Sequence, residues 1–386
     1  MVYDVVVVGM GGIGSAAIER LASRGASVVG VDRFPPTHSR GSSHGGSRVF
    51  RRAYFEGASY VELLEHASRG WDRLRTLTGR RLLHRCGVLV AGYPGTTTVE
   101  SSRRSAVEHG LEIQTFDHDG LHDRWPMLDL PVGSTGLFEK DAGFVVPESG
   151  IQAHLEVAQR HGASFRWPFS VRSIDATGTH LAIRSDRETI RARRAVVTAG
   201  AWSDRLIAQC GCRLDLVPHR KVIVWARPRR EWLGRMSATS HPCWLVDDGG
   251  EGGPGLLYGV PSWAGQRGFD GMKFGIHGPG SPVDPDQFDR TVGSSEIESF
   301  ESAIERRFPG VFETPHAATT CLYTMSRDEH FVLDRLPGLD SISIATGLSG
   351  HGYKFAPVLG EALADLTIDG GSNLPIDFLS IERFAG

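Results

Sequence analysis

Val5-Val6-Val7-Val8 is a run of β-branched residues without polar alternation, which predicts a short strand buried on both faces, as in a parallel sheet. The period then changes. Over residues 15–24 small and apolar side chains fall at Ala16, Ala17, Leu21 and Ala22 and predict a helix; residues 27–31 return to a strand that ends at Asp32. Leu63, Leu64, Ala67, Trp71 and Leu74 are spaced as one face of a helix over 60–77. Residues 82–91 predict a strand leaving this first domain, 92–150 an alternation of short helices and strands, and 151–161 a helix. Alternation over 169–190, broken at Thr177-Gly178 and Ser185-Asp186, predicts a small antiparallel meander, and 195–198 a buried strand. From about 217 to 320 strands at 222–225, 243–246, 256–258 and 272–276 are joined by long Gly/Pro-rich loops, with a helix at 296–307; this predicts a second domain on a mixed sheet. The last stretch returns to the first pattern: a strand at 341–346, a glycine-rich loop, and a helix at 356–366 with Pro357 in its first turn.

Between the first strand and helix stands Gly9-Met10-Gly11-Gly12-Ile13-Gly14. Strand, glycine turn, helix, strand and terminal acid together form a dinucleotide-binding fingerprint. Gly9 allows the tight turn, Gly11 lets backbone approach a pyrophosphate, and Gly14 lets helix and strand pack closely. The helix N-terminus favours phosphate, and Asp32 is placed to accept from a ribose diol. This motif leaves NAD and FAD open. Gly200, at the end of the 195–198 strand, and the loop Gly347-Leu348-Ser349-Gly350-His351-Gly352 offer further close approaches, and Lys354 adds a charge beside the second.

Composition narrows the class. A chain of 386 residues has length for two domains. A net charge of −3 argues against nucleic-acid or membrane partners, so attraction for an anionic ligand must come from local cations. Cys86, Cys210, Cys212, Cys243 and Cys321 are odd in number and scattered, which predicts free thiols and no bound metal. No signal-peptide pattern and no membrane-length apolar run is present, so a cytoplasmic setting is expected. A polar, small-residue stretch over 39–47, with His38 and His44 in or beside it, leads into Arg48, Arg51 and Arg52: a solvated basic patch, or a site.

Five stretches together settle a resemblance. They are the fingerprint with Asp32; Gly41-Ser42-Ser43-His44-Gly45-Gly46-Ser47-Arg48-Val49-Phe50-Arg51-Arg52-Ala53-Tyr54; Lys273-Phe274-Gly275-Ile276-His277; Cys321-Leu322-Tyr323 with Asp328-Glu329-His330-Phe331; and 347–355. In this order, over essentially the whole chain, the sequence resembles the monomeric sarcosine oxidase and N-methyltryptophan oxidase family. The resemblance implies an α/β fold with an α+β second domain: a Rossmann-type FAD-binding domain from 1–82, 142–216 and 321–386, and a mixed-sheet substrate domain from 83–141 and 217–320, of glutathione-reductase/p-hydroxybenzoate-hydroxylase type. It implies FAD joined through its 8α-methyl to Cys321, cradled also by Gly9, Gly11, Gly14, Asp32, Ser42, Arg48, Val171, Gly200, Trp202, Gly347, Gly350, Gly352 and Lys354. Lys273 corresponds to the lysine beside the flavin where oxygen is activated. Arg51 and Lys354 correspond to the pair that holds a substrate carboxylate. Arg48, His44, His277 and Tyr323 match other reactive positions, and Tyr258 a pocket tyrosine.

The implied reaction is oxidation of a secondary-amine amino acid to an imine, with O2 reduced to H2O2, by a monomer. A cyclic imino acid is the alternative substrate. An NAD dehydrogenase leaves Cys321 and the second glycine loop unexplained, and a binding module without turnover leaves Lys273, Arg51 and Lys354 unexplained. Two departures bear on substrate choice. The run 43–46 lacks a histidine and an aspartate that the family carries, and the segment between Tyr258 and Lys273 is longer, with Trp263, Gln266 and Arg267, which predicts a loop beside the substrate.

Overall fold

The computed structural model describes residues 2–250, 255–266 and 269–384; Arg267 lies outside them. Two large sheets carry the chain. The first has eight strands, with Val2–Val8 at its centre, flanked in parallel by Val28–Val31 and Thr189–Val197. Val5, Val6 and Val7 are fully buried, because helices cover one face and the meander side the other. The last strand of the meander and the strand predicted at 195–198 are one continuous element. Thr189–Val197 pairs antiparallel with His180–Arg184 along its first half and parallel with Leu339–Thr346 along its second. Gly12–Ser23 packs against Pro147–Arg160 and Ala356–Ile368. Gly360 permits that approach: a Cβ there would lie 2.6 Å from backbone and side chain of Ala16.

The second sheet has nine strands. Met272–Ile276 sits between Val217–Ala226 and Leu256–Val260, followed by Cys243–Asp247, Val88–Gly92 and Thr135–Glu139. The strand predicted at 82–91 is broken in two. Leu83–His84 joins a three-stranded sheet with Arg48–Phe50 and Gly143–Val145, and Val88–Gly92 joins the large sheet. Gly87, at φ +82°, makes the bend. The domain boundary expected at residue 321 is also moved. Ala317–Met325 pairs with Val217–Ala226 over its whole length, from Val217↔Met325 to Trp225↔Ala317, so Cys321 belongs to the substrate-side sheet and the chain crosses back only after Met325. Among the described residues no helix is long and apolar enough to cross a membrane, and no cluster of His, Cys, Asp or Glu is grouped as a metal site.

Candidate active site

A long cleft follows the carboxyl ends of the parallel strands. Gly9, Gly11, Asp32, Ser42, Arg48, Val171, Gly200, Trp202, Tyr323, Gly347, Gly350 and Gly352 all line it. The three fingerprint glycines divide their work. A Cβ at Gly9 would meet the Thr198 carbonyl at 2.5 Å, and one at Gly14 the Gly9 carbonyl at 1.8 Å; both are packing positions. Gly14 accordingly does not line the cleft. A Cβ at Gly11 would meet nothing nearer than Ser43 Oγ, at 3.6 Å, and one at Gly200 nothing within 4 Å. Bare backbone therefore faces open space where a dinucleotide's phosphates and ribose need it, and the cradle fits that group. Asp32 does more than sequence reasoning assigned. Its carboxylate accepts from the backbone N–H of Met10 at 2.7 Å and of Phe34 at 2.9 Å, tying both walls of the turn while keeping acceptor capacity for a diol.

Arg48 stands where two spaces meet. Its guanidinium donates to the carbonyls of Ser47 at 2.7 Å and Ser42 at 2.6 Å, and has no carboxylate partner among the described residues. Beyond it lies a small pocket lined by Arg48, Arg51, Phe55, Glu56, Tyr258, His277, Tyr323, His351 and Lys354. Arg51 and Lys354 come from opposite ends of the chain and both line this pocket. Neither is idle. Arg51 donates to Glu56 at 2.6 Å and to the Ala53 carbonyl at 3.1 Å, and lies over the Phe55 ring at 3.9 Å. Lys354 Nζ donates to Tyr54 Oη and to the His351 carbonyl, both at 3.0 Å. Burial, opposed by Glu56 and assisted by Arg51, brings the Lys354 ammonium down to about 7. Burial pushes the Glu56 carboxyl up, but Arg51, His351, Lys354 and His277 outweigh it and hold it at about 2. His277 falls to about 4 and His351 to about 3, chiefly through burial, so both are neutral near pH 7. Burial raises Tyr258 to about 12.

Lys273 faces a different space. Its Nζ donates to the carbonyls of Gly45 at 3.2 Å and Ser47 at 2.5 Å, so the 42–47 segment runs between it and the cleft. It lines a cavity shared with His44, Glu148, Trp225, Trp263 and Gln266. Burial, then Arg48, depresses Lys273 well below the usual lysine range. The same two causes, with Lys273 third, bring His44 to about 3. The long loop after Tyr258 opens here: Val260 pairs with Lys273, and Trp263 and Gln266 beyond it line the lysine's cavity. The altered run has a physical reason as well. Gly45 and Gly46 adopt φ of +89° and +78°, and both N–H groups donate to one oxygen of Glu148, at 2.7 and 3.2 Å.

Cys321 is buried on the same face of its strand as Tyr323 and Met325. The cleft is reached by Leu322, Tyr323 and Thr324, and Cys321 is not among the residues that line it. Burial raises its thiol, against the pull of Arg48, Lys273 and Lys221. Lys221 pairs directly across from Cys321 and sits 5.5 Å from the Tyr323 ring. Sequence reasoning missed Glu56 and His351, which line the pocket, and Tyr54 and Lys221, which stand against its Lys354 and Tyr323. Glu56 and Tyr54 stood within or beside the quoted arginine run, but only the fold turns them onto Lys354.

Residues 4–366 match the family model described as FAD dependent oxidoreductase. The chain is 36% identical to a monomeric sarcosine oxidase of Streptomyces avermitilis over 384 residues, covering 99% of this chain and 98% of that one. It is 31% identical to an N-methyl-L-tryptophan oxidase of Yersinia pestis over 387 residues, covering both completely. Among solved structures, NikD, described as an unusual amino acid oxidase essential for nikkomycin biosynthesis, superposes with a TM-score of 0.85 at 22% identity, over 98% of this chain and 97% of that one. L-proline dehydrogenase from P. horikoshii superposes at 0.83 with 19% identity, over 100% and 98%. These two likenesses are of fold.

Proposed function

Because this chain belongs to the family of FAD-dependent oxidoreductases, we propose that it oxidises the C–N bond of an N-methyl amino acid, with O2 as the electron acceptor. Secondary amine, O2 and water become primary amine, aldehyde and H2O2. The observation that carries this reading is the pocket's charge: Arg48, Arg51 and Lys354 against the single carboxylate of Glu56. A carboxylate-bearing substrate balances that excess, and Arg51 is able to grip it bidentately. The same positive field lowers the pKa of a bound amine and favours its neutral, reactive form. His277 and His351, neutral near pH 7, add no competing charge. FAD, when bound, supplies the acceptor for the two electrons leaving the substrate C–H and passes them to O2. Arg48, Gly11, Asp32 and the two glycine loops would hold it, and Cys321 would tether it through the 8α-methyl. Lys273, desolvated on the far side of the 42–47 segment, would stabilise negative charge developing on reduced oxygen.

The test combines acid precipitation of the purified protein with peroxide release on a panel of N-methyl and cyclic secondary amino acids. Yellow colour retained in the pellet, and peroxide formed with N-methyl substrates, are the expected results. Colour left in the supernatant would remove the tether. Peroxide formed with cyclic acids alone would replace the substrate class.

A further inference from the structure

Cys86 and Cys243 are 157 positions apart, yet their Sγ atoms are 3.8 Å from each other. Cys243 is fully buried at the start of Cys243–Asp247, and its N–H donates to the Gly87 carbonyl at 3.0 Å. Cys86 is partly exposed, in the bend that separates Leu83–His84 from Val88–Gly92. Cys86 is thus the more exposed of the two, and Cys243 is its fully buried neighbour. Their location is specific. Lys273 pairs with Val260, Trp244 pairs with Gly259, and Cys243 pairs with Val88. The row Lys273–Val260–Cys243–Val88 therefore crosses the sheet with its side chains on one face. Cys243 lies two strands from the lysine, roughly 10 Å at the spacing of neighbouring strands. Val260 is both the residue between them and part of the wall of the lysine's cavity.

We propose that Cys86 and Cys243 form a peroxide-sensitive pair that closes to a disulfide. Cys86 reacts first: its thiol and H2O2 give a sulfenic acid and water. The Cys243 thiol then attacks that sulfur, the S–O bond breaks, and the disulfide and a second water form. Two thiols are oxidised by two electrons and one H2O2 is reduced. The order follows from access and from charge. The hydrogen bond from Cys243 lowers the Cys86 thiol, whereas burial raises Cys243 well above the usual thiol range. Closure would pin the bend joining the three-stranded sheet to the large one, beside the His84–Trp263 contact at 4.7 Å that backs the lysine's cavity. Only the source of peroxide in this scheme rests on the proposed oxidase activity.

The experiment treats the purified holoprotein with reagent H2O2, alkylates remaining thiols and maps peptides without reduction. A peptide pair joining Cys86 to Cys243, at least tenfold above any other cysteine pair, is expected. It should vanish in Cys86→Ser. In Cys243→Ala a dimedone adduct should accumulate on Cys86, which needs no disulfide to be read. Both thiols remaining alkylatable in peroxide, or Cys86 passing directly to sulfinic acid in the unaltered protein, overturns the proposal. A second arm replaces reagent peroxide with an N-methyl amino acid and O2, with and without catalase. Closure that catalase suppresses supports the proposal; closure with reagent but not with turnover leaves the pair standing and counts against the oxidase reading.

Discussion

The glycine-lined cleft and the charged pocket share Arg48 and Tyr323 but are built in opposite ways. The cleft is largely backbone: glycines at strand ends, a helix N-terminus and one carboxylate that ties the turn together. Its recognition is spread over many small contributions. The pocket is side chain on side chain, with Arg51, Glu56, Lys354, Tyr54 and His351 in one hydrogen-bonded and charged group. Removing one member leaves others buried and uncompensated. The lesson is that binding should fail abruptly in the pocket and gradually in the cleft.

The largest effect is expected from Arg51→Ala. It removes a carboxylate partner and leaves Glu56 without its nearest cation, so affinity for an acidic substrate should fall by about 2–5 kcal/mol. Saturation kinetics, or direct titration with an aliphatic carboxylate, measures it; unchanged saturation would take Arg51 out of the pocket. Next is Gly14→Ala. The added Cβ would lie 1.8 Å from the Gly9 carbonyl, where only backbone movement can relieve it. Overpacking of about 1–3 kcal/mol should appear as a lower melting midpoint and lower flavin incorporation, with substrate affinity of the loaded fraction kept. Substrate affinity lost in parallel would merge the two regions into one unit.

The smallest effect is a pH dependence. Lys354 carries its positive charge below about pH 7 and loses it above. A bound carboxylate favours the charged form, so binding above pH 7 must take up a proton. The dissociation constant of a carboxylate lacking an amine should therefore rise with pH above 7, by up to tenfold per unit, about 1.4 kcal/mol. Lys354→Met should flatten the profile. A flat profile in the unaltered protein would mean that Lys354 does not bear on the ligand.

Much of the fold was legible because its signals are local. A β-branched run, a glycine turn and a small-residue helix specify the unit around Gly9 within a few dozen positions, and the alternation at 169–190 specified the meander. The misreadings had equally definite causes. Gly87, directly after His84-Arg85-Cys86, divides residues 82–91 between two sheets. The strand carrying Cys321 reads as part of the carboxyl-terminal unit because pairing partners cannot be seen along a chain. Which cavity Trp263 enters is likewise invisible along the chain, because one strand's register decides it.

The amino-acid sequence by itself determined the dinucleotide fingerprint, the two-domain plan and the cations Arg48, Arg51 and Lys354 as candidates, while Lys273 and Cys321 stood out only through the family resemblance. Tertiary structure alone decided how their charges combine. It set Glu56 against Arg51, parted Lys273 from the cleft by the 42–47 segment, and brought Cys86 to Cys243. The reason is physical: backbone conformation depends on neighbours along the chain, whereas ionisation and reactivity depend on desolvation and on neighbours in space.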